Sequence, residues 1–304
     1  MASLRMETRL GPITMRSPLV AASGTVGSVW EWATVADVGV YGAAVAKSVS
    51  ATPWEGRPAP RIAPAGPGML NGIGIQNPGI VSWVTDMADR LKVCDVPIWG
   101  SAVGETVAGF VEVAVGEESA GVAAVEVNLS CPNLEEGHIF ALDARLSSEV
   151  ISEVVAAVNV PVGAKLSPAA PDIVAIAEAC IDAGADFLTL TNTAPGFGVD
   201  LSLAAPKLSG GVGGYSGPGL KPISLRCVYE VARAFPGFPV VGCGGVTSGE
   251  DVVEYLMSGA TAVGLGTIHF AEPRAGKRID REMRRVMKKL GFSGVTEIVG
   301  AAVS

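Results

Sequence analysis

The chain has 304 residues, 49% of them hydrophobic and only 17% charged, with 39 glycines. That is enough apolar content for a barrel-sized core and too little polarity for a disordered chain or a solvated helical array. Its formal net charge of -8 excludes the broadly basic face that a non-specific grip on nucleic acid or anionic membrane requires. Five cysteines, Cys94, Cys131, Cys180, Cys227 and Cys243, are odd in number and lack zinc-type pairing, as expected of a reduced, cytoplasmic protein with no metal site and no disulfide framework.

From the N-terminus, Met1 to Arg5 leads into charged residues without an apolar signal core, and no run of about 18 apolar residues follows, so neither export nor membrane insertion is expected. Leu10-Gly11-Pro12 sits between short extended stretches and reads as a hairpin closing a barrel floor. Strand-like runs then follow at Pro18 to Ser23, Tyr41 to Ser48, Val96 to Ala102, Ala123 to Leu129, Val160 to Leu166, Ala185 to Thr191, Phe238 to Gly242 and Ala262 to Gly266. Helical patterns long enough for crossovers lie between them, among them Ser147 to Val158, Asp172 to Ala183, Pro218 to Phe235 and Ser248 to Ser258. Eight strand-helix units predict a single α/β domain over residues 1–304, a (β/α)8 TIM barrel. A doubly wound open sheet is the competing arrangement, but it would usually show fewer strands and a glycine fingerprint at its first turn. Two long Pro- and Gly-rich loops, Ala51 to Gln76 and Thr193 to Pro218, have the length of lids or substrate walls.

A barrel of this kind carries its site at the C-terminal strand ends. Those ends supply Ser23, Lys47, Asn128 with Cys131, Lys165, Asn192 with Thr193, Gly244 with Gly245, and Gly266 with Thr267. Two lysines and several carboxamides around one mouth suit a planar, anionic, hydrogen-bonding ligand. In Val160 to Pro168, Lys165 shares a face with Gly163 and Ser167, which puts an ammonium in the mouth, where it must meet an anion or change its proton affinity. Lys47 ends a run of small residues, Gly42 to Ala46, which leaves space for a flat ring.

The run before Cys131 places Ala123, Val125, Val127 and Leu129 on one face and Glu126, Asn128 and Ser130 on the other. Pro132 ends the strand, so Cys131 is held extended or in a turn. A free thiol is commonly inert packing; between Asn128 and Asn133, in a chain with only His138 and His269 as histidines, Cys131 is the better proton-transfer candidate. The glycines of Gly242 to Gly249 and Gly264 to Thr267 can cradle a phosphate or merely turn the chain. Gly210 to Pro218 admits an anion-facing or a plain surface-loop reading, and Asn71 to Gly79 admits ligand contacts or Asx turns.

Taken together, Ala22-Ser23-Gly24, Ala46-Lys47-Ser48, Glu55 to Arg61, Met69 to Gly79, Asn128 to Asn133, Lys165 to Pro168, Asn192-Thr193, Gly213 to Pro218 and the two C-terminal glycine motifs resemble the dihydroorotate dehydrogenases. Within that family the chain is most like the soluble class 1 enzymes, in particular the class 1B catalytic subunit. The resemblance implies an FMN-dependent oxidation of dihydroorotate to orotate in pyrimidine synthesis, with Cys131 removing the C5 proton while the C6 hydride passes to flavin N5. It assigns substrate contacts to Lys47, Asn71, Gly72, Ile73, Gly74, Ile75, Asn128, Asn133, Asn192 and Thr193. FMN contacts fall to Ser23, Lys47, Ser48, Ser101, Asn128, Lys165, Thr191, Gly217, Gly244, Gly245, Gly266 and Thr267, with Lys165 at the electron-rich edge of the flavin.

Ser101 departs from the pattern by standing where the family usually has a flavin-contacting asparagine. A hydroxyl is shorter than a carboxamide, so one contact there is lost or water-bridged. The resemblance implies a second copy of the chain and, for class 1B, an iron–sulfur, FAD-containing subunit that passes electrons to NAD, whereas class 1A homodimers use fumarate; the chain has no cysteine cluster or dinucleotide fingerprint of its own, and the acceptor stays open. Two other readings stay open from the sequence: a flavin enzyme acting on another dihydropyrimidine or cyclic imide, and a non-catalytic phosphate-ligand binding barrel.

Overall fold

The computed structural model describes residues 4–130 and 139–303. Eight parallel strands close into a barrel: β1 (Leu19–Ala21), β2 (Ala43–Val45), β3 (Ile98–Ala102), β4 (Val125–Asn128), β5 (Val162–Leu166), β6 (Phe187–Leu190), β7 (Val240–Cys243) and β8 (Ala262–Leu265). Seven fall inside the runs read from the sequence, and β7 passes the end of its run by one residue, Cys243. They are short, Val- and Ala-rich and buried on both faces, which parallel strands covered by crossover helices require.

The connections carry helices α1 (Trp30–Ala33), α2 (Ile80–Leu91), α3 (Val107–Ala120), α4 (Ala144–Ala157), α5 (Ile173–Asp182), α6 (Lys221–Ala234), α7 (Gly249–Met257), α8 (Ile268–Ala271) and α9 (Ala275–Lys289). Local chemistry sets several starts. Thr106 and Asp143 cap α3 and α4 by accepting from backbone amides, and Ser248 with Asp251 forms a capping box at α7. Among the described residues, no helix is long and apolar enough to cross a membrane.

Two hydrophobic layers follow from strand alternation. Outward residues such as Val125, Val127, Val162, Ala164 and Leu166 join the helix-facing core. Inward residues of the lower barrel, Val20, Val45, Trp99, Phe187 and Val241, pack with Leu10 and Met15. Those last two come from the hairpin Thr8–Leu10 and Ile13–Met15, turned at Gly11 with φ 57°, which plugs the floor. One reading changes here. The room beside Gly42 is taken by this plug, because a Cβ there would meet the Ser17 carbonyl and Met15; Gly42 makes space for the hairpin and not for a ring.

The two long loops meet over the C-terminal strand ends. Ile62–Ala65 and Gly68–Asn71 pair with each other, and Gly68–Asn71 also pairs with Gly213–Ser216, which pairs in turn with Ala194–Gly196. A four-stranded antiparallel sheet therefore walls one side of the mouth. Sequence alternation failed to show it because these strands are built largely from Gly, Ala and Pro.

Candidate active site

Lys165 lies on the inner face of β5, and its Nζ sits 3.1 Å from Glu126 Oε1 on neighbouring β4. Thr189 on β6 donates its hydroxyl to the other oxygen, Glu126 Oε2, at 2.8 Å. All three are buried. A charge removed from water needs a partner and filled hydrogen bonds, and the three adjacent strands provide both. Glu126, visible in the sequence only as part of a polar strand face, and Thr189 are the site neighbours that residue patterns did not single out. The available signal was an acid on an inward face one strand away from an inward lysine.

Above this layer runs a hydrogen-bond chain with a defined direction. The Thr193 amide donates to Asn192 Oδ1 at 2.8 Å, which fixes how that carboxamide is turned. Asn192 Nδ2 then donates to Asn128 Oδ1 at 3.1 Å, and Asn128 Nδ2 to Ser48 Oγ at 3.3 Å. Ser48 Oγ lies 2.9 Å from Ser101 Oγ and 3.5 Å from Ser23 Oγ. Because Ser23 donates to the Ala46 carbonyl at 2.7 Å, it can only accept from Ser48, while in the shorter contact between Ser48 and Ser101 either hydroxyl can be the donor. The Thr193 amide thus orients the carboxamides of Asn192 and Asn128 as far as Ser48, and Ser48 links them to Ser101 and Ser23. Lys47 follows Ala46 on the same β2 extension, its amide donating to the Gly27 carbonyl at 2.9 Å.

The wall contributes next. Asn71 Nδ2 donates to the Gly214 carbonyl at 3.2 Å, and a Cβ on Gly214 would run into Thr193, so Asn71, Gly214 and Thr193 abut. Gly72 and Gly74 pack on Arg57, and the chain turns through Gly74 (φ 73°) and Ile75 (φ 53°). A β-branched residue in the left-handed region is uncommon and persists only where its surroundings hold it. Asn77 does so here, accepting from the Ser50 and Gly79 amides and donating to the Ile75 carbonyl at 2.7 Å. Ile73 accepts from the Arg57 amide at 3.0 Å.

Glycine geometry brings the remaining loops together. Gly245 (φ 71°) approaches the Gly217 carbonyl and the Lys221 amide so closely that a Cβ would meet them at 2.8 and 2.7 Å. Gly244 backs onto Ser224, which lies 2.8 Å from Thr191 Oγ1, while Tyr255 donates to the Gly244 carbonyl at 2.6 Å. Gly266, after β8, faces open space apart from the Thr25 methyl at 4.0 Å, and Thr267 opens α8. Since β7 and β8 are hydrogen-bonded neighbours, these loops form a cradle with backbone rather than side chains at its edge, a surface suited to an anion.

Cys131 and Asn133 lie outside the described residues; the strand leading to them is seen up to Ser130, whose hydroxyl donates to the Lys165 carbonyl at 3.3 Å. Cys243 is buried on β7, and burial pushes its thiol up to about 11, which leaves it in the inert protonated form. Among the described residues, no cluster of His, Cys, Asp and Glu could hold a metal ion.

A closed parallel barrel whose strand ends gather lysines, oriented carboxamides and glycine-edged loops defines a (β/α)8 enzyme with a site for a polar, anionic ligand. Comparison with known proteins gives the family. A family model described as dihydroorotate dehydrogenase matches residues 5–287. The dihydroorotate dehydrogenase B (NAD(+)) catalytic subunit of Geobacter sp. (strain M21) is 40% identical over 298 residues, covering 97% of both chains. That of Geobacter sulfurreducens is 41% identical over 298 residues, again 97% of each, and that of Alkaliphilus oremlandii 37% over 301 residues, 99% of each. The chain belongs to the dihydroorotate dehydrogenase family and is an oxidoreductase.

Proposed function

We propose that the chain oxidises dihydroorotate to orotate in pyrimidine biosynthesis with FMN as its cofactor, acting as the catalytic subunit of a two-component enzyme. The observation that carries this reading is the hydrogen-bond chain directed from Thr193 through Asn192 and Asn128 to Ser48, which is in turn bonded to Ser101, set beside Lys47 and Lys165. It presents amide nitrogens and ammonium groups to a ring bearing carbonyls and a carboxylate. The cradle of Gly217, Gly244, Gly245, Gly266 and Thr267 suits a flavin phosphate, because Gly245 lets two loops close against each other and Gly266 leaves its backbone edge open.

Bound FMN would accept the C6 hydride of the substrate. Lys165, held between Glu126 and the mouth, supplies positive charge where the reduced ring gathers electron density. Asn71, Asn128, Asn192 and Thr193 orient the substrate ring with Lys47, while Gly72, Ile73, Gly74, Ile75 and Asn133 complete its pocket. Ser23, Ser48, Ser101 and Thr191 line the cofactor side. Cys131, three residues beyond Asn128, takes the C5 proton as a thiolate; a thiol's ordinary pKa of about 8.5 needs only modest lowering near lysines for this task.

The partners follow from surface and relatives. Phe197, Leu201, Leu203 and Val212, in the chain between the wall strands Ala194–Gly196 and Gly213–Ser216, are exposed, with Leu201 90% exposed, and exposed apolar side chains support pairing with a second copy of the chain. The relatives' description as NAD(+) enzymes' catalytic subunits supports an additional subunit, and an iron–sulfur, FAD-containing one that delivers electrons to NAD is the form proposed here.

Cys131→Ser tests the mechanism: the variant should keep its yellow flavin but reduce it far more slowly with dihydroorotate near neutral pH. Equal rates for variant and parent would remove Cys131 from the proton-transfer role. If FMN-loaded parent protein is reduced by another dihydropyrimidine and not by dihydroorotate, the substrate assignment fails. A colourless protein that takes up no FMN would overturn the flavin reading itself.

A further inference from the structure

The barrel wall is irregular between β2 and β3, and one buried carboxyl fills the irregularity. Ala46 donates its amide to the Trp99 carbonyl at 2.9 Å, and the next bond runs from the Val49 amide to the Ser101 carbonyl at 3.0 Å. Between those two bonds the β2 chain advances three residues while β3 advances two. The extra residue is a bulge at Lys47 and Ser48, a device that re-aims side chains and breaks the ladder locally. The Ala46 carbonyl, which would face β3 in a regular ladder, is taken by the Ser23 hydroxyl. The Ser101 amide donates instead to Glu117 Oε1 at 2.6 Å.

Glu117 belongs to α3, outside the barrel, and reaches the wall through Gly100. A Cβ at Gly100 would strike the Glu117 carboxyl, whereas its neighbours Trp99 and Ser101 carry side chains pointing inward. The glutamate is fully buried, and its second oxygen, Oε2, finds no hydrogen-bond partner among the described residues. An acid in an apolar helix–strand interface is costly unless it satisfies a group that would otherwise be stranded. Here that group is the Ser101 amide left by the bulge.

We propose that Glu117 is a positioning residue: passing through the space left by Gly100, it caps the Ser101 amide, closes the gap opened by the β2 bulge, and so fixes where Ser48 and Ser101 stand in the mouth. Gly100, Ser101 and Glu117 act as one unit, in which a short hydroxyl on β3 works because an acid behind the strand holds its backbone. The consequence for flavin binding rests on the FMN reading above; the structural core of the inference does not.

Glu117→Gln keeps an acceptor of the same length, and Glu117→Met keeps the bulk without it. Single-amide hydrogen–deuterium exchange across residues 98–104 of the flavin-free protein should show the Ser101 amide protected in the parent and in Glu117→Gln, and exchanging faster by about tenfold or more in Glu117→Met. FMN titration should follow the same order, with Gln within about threefold of the parent and Met weaker by about tenfold. Gly100→Ala, which displaces the carboxyl, should resemble Glu117→Met, and adding Glu117→Ala to it should cost little more. Equal Ser101 exchange in the Gln and Met variants would overturn the proposal, as would full protection in Gly100→Ala. A parent protein that shows the exchange pattern but takes up no FMN would refute the flavin reading and leave the role of Glu117 standing.

Discussion

Replacing Glu117 by glutamine should change how the stability of this protein depends on pH. Burial behind β3 pushes the Glu117 carboxyl up from an ordinary 4.5 to about 8; the Ser101 amide opposes that shift and the Glu126 charge on the next strand reinforces it. The folded chain therefore keeps this proton over a range in which the unfolded chain releases it. Its contribution to stability is fully present below pH 4.5 and is lost as pH rises towards about 8. At about 1.4 kcal/mol per pH unit, the gap between 4.5 and about 8 corresponds to a ceiling of roughly 5 kcal/mol. Glutamine accepts from the same amide and never ionises. The parent and Glu117→Gln should accordingly have similar unfolding free energies at about pH 5, and the variant should be the more stable by on the order of 3–5 kcal/mol at about pH 8.5. Denaturant unfolding at the two pH values, each chain measured against itself, isolates the effect from every other titrating group. Parallel pH dependence in the two proteins would show that the carboxyl is ionised in the fold, and the reasoning would fail.

Glu126→Gln should destabilise the fold by about 3–5 kcal/mol, since it leaves the Lys165 ammonium buried without its carboxylate; the double variant Glu126→Gln/Lys165→Met should recover most of that loss in thermal unfolding, and a single-variant cost below about 1 kcal/mol would contradict the pairing. His269 predicts the opposite pH window. Thr25 spends its hydroxyl proton on the Ala22 carbonyl at 2.8 Å and so accepts from His269 Nδ1 at 3.2 Å, leaving Nε2 to accept from Tyr41 at 2.9 Å. Burial lowers this imidazole from 6.5 to about 4, so its contribution is present above pH 6.5 and is lost as pH falls towards about 4, by about 3 kcal/mol. His269→Gln should flatten that acid limb in an equilibrium unfolding series, and an unchanged limb would show that the ring charges freely in the fold.

Much of the barrel was legible because its physics is local. Parallel strands buried on both faces must be short apolar runs, and the alternation that put Glu126 and Asn128 opposite Val125 and Val127 is the one that sends the first pair inward and the second to the helices. Lys165 was readable for the same reason. The wall over the mouth was not, because Gly68–Asn71, Gly213–Ser216 and Ala194–Gly196 pair across long stretches of chain through backbone alone; no side-chain period announces them. The partnership of Glu126 with Lys165 required knowing which strands are adjacent, a property of closure rather than of either sequence run.

Glu117 marks where a one-dimensional reading stops for a physical reason. In the chain it follows Gly116 and precedes Glu118, and a pair of acids near the end of a helix is ordinarily a solvated face. The two have opposite fates. Glu118 accepts from the Asn159 amide at 2.7 Å in an exposed contact, whereas Glu117, one residue earlier and therefore turned by about 100° around the helix, points into the wall. What selects the acid at that position is a backbone amide on another element, stranded by a bulge whose extra residue is Lys47 or Ser48. The same irregularity that aims the mouth residues of β2 thus creates the vacancy that an acid on α3 must fill, and Gly100 is the opening through which it does so.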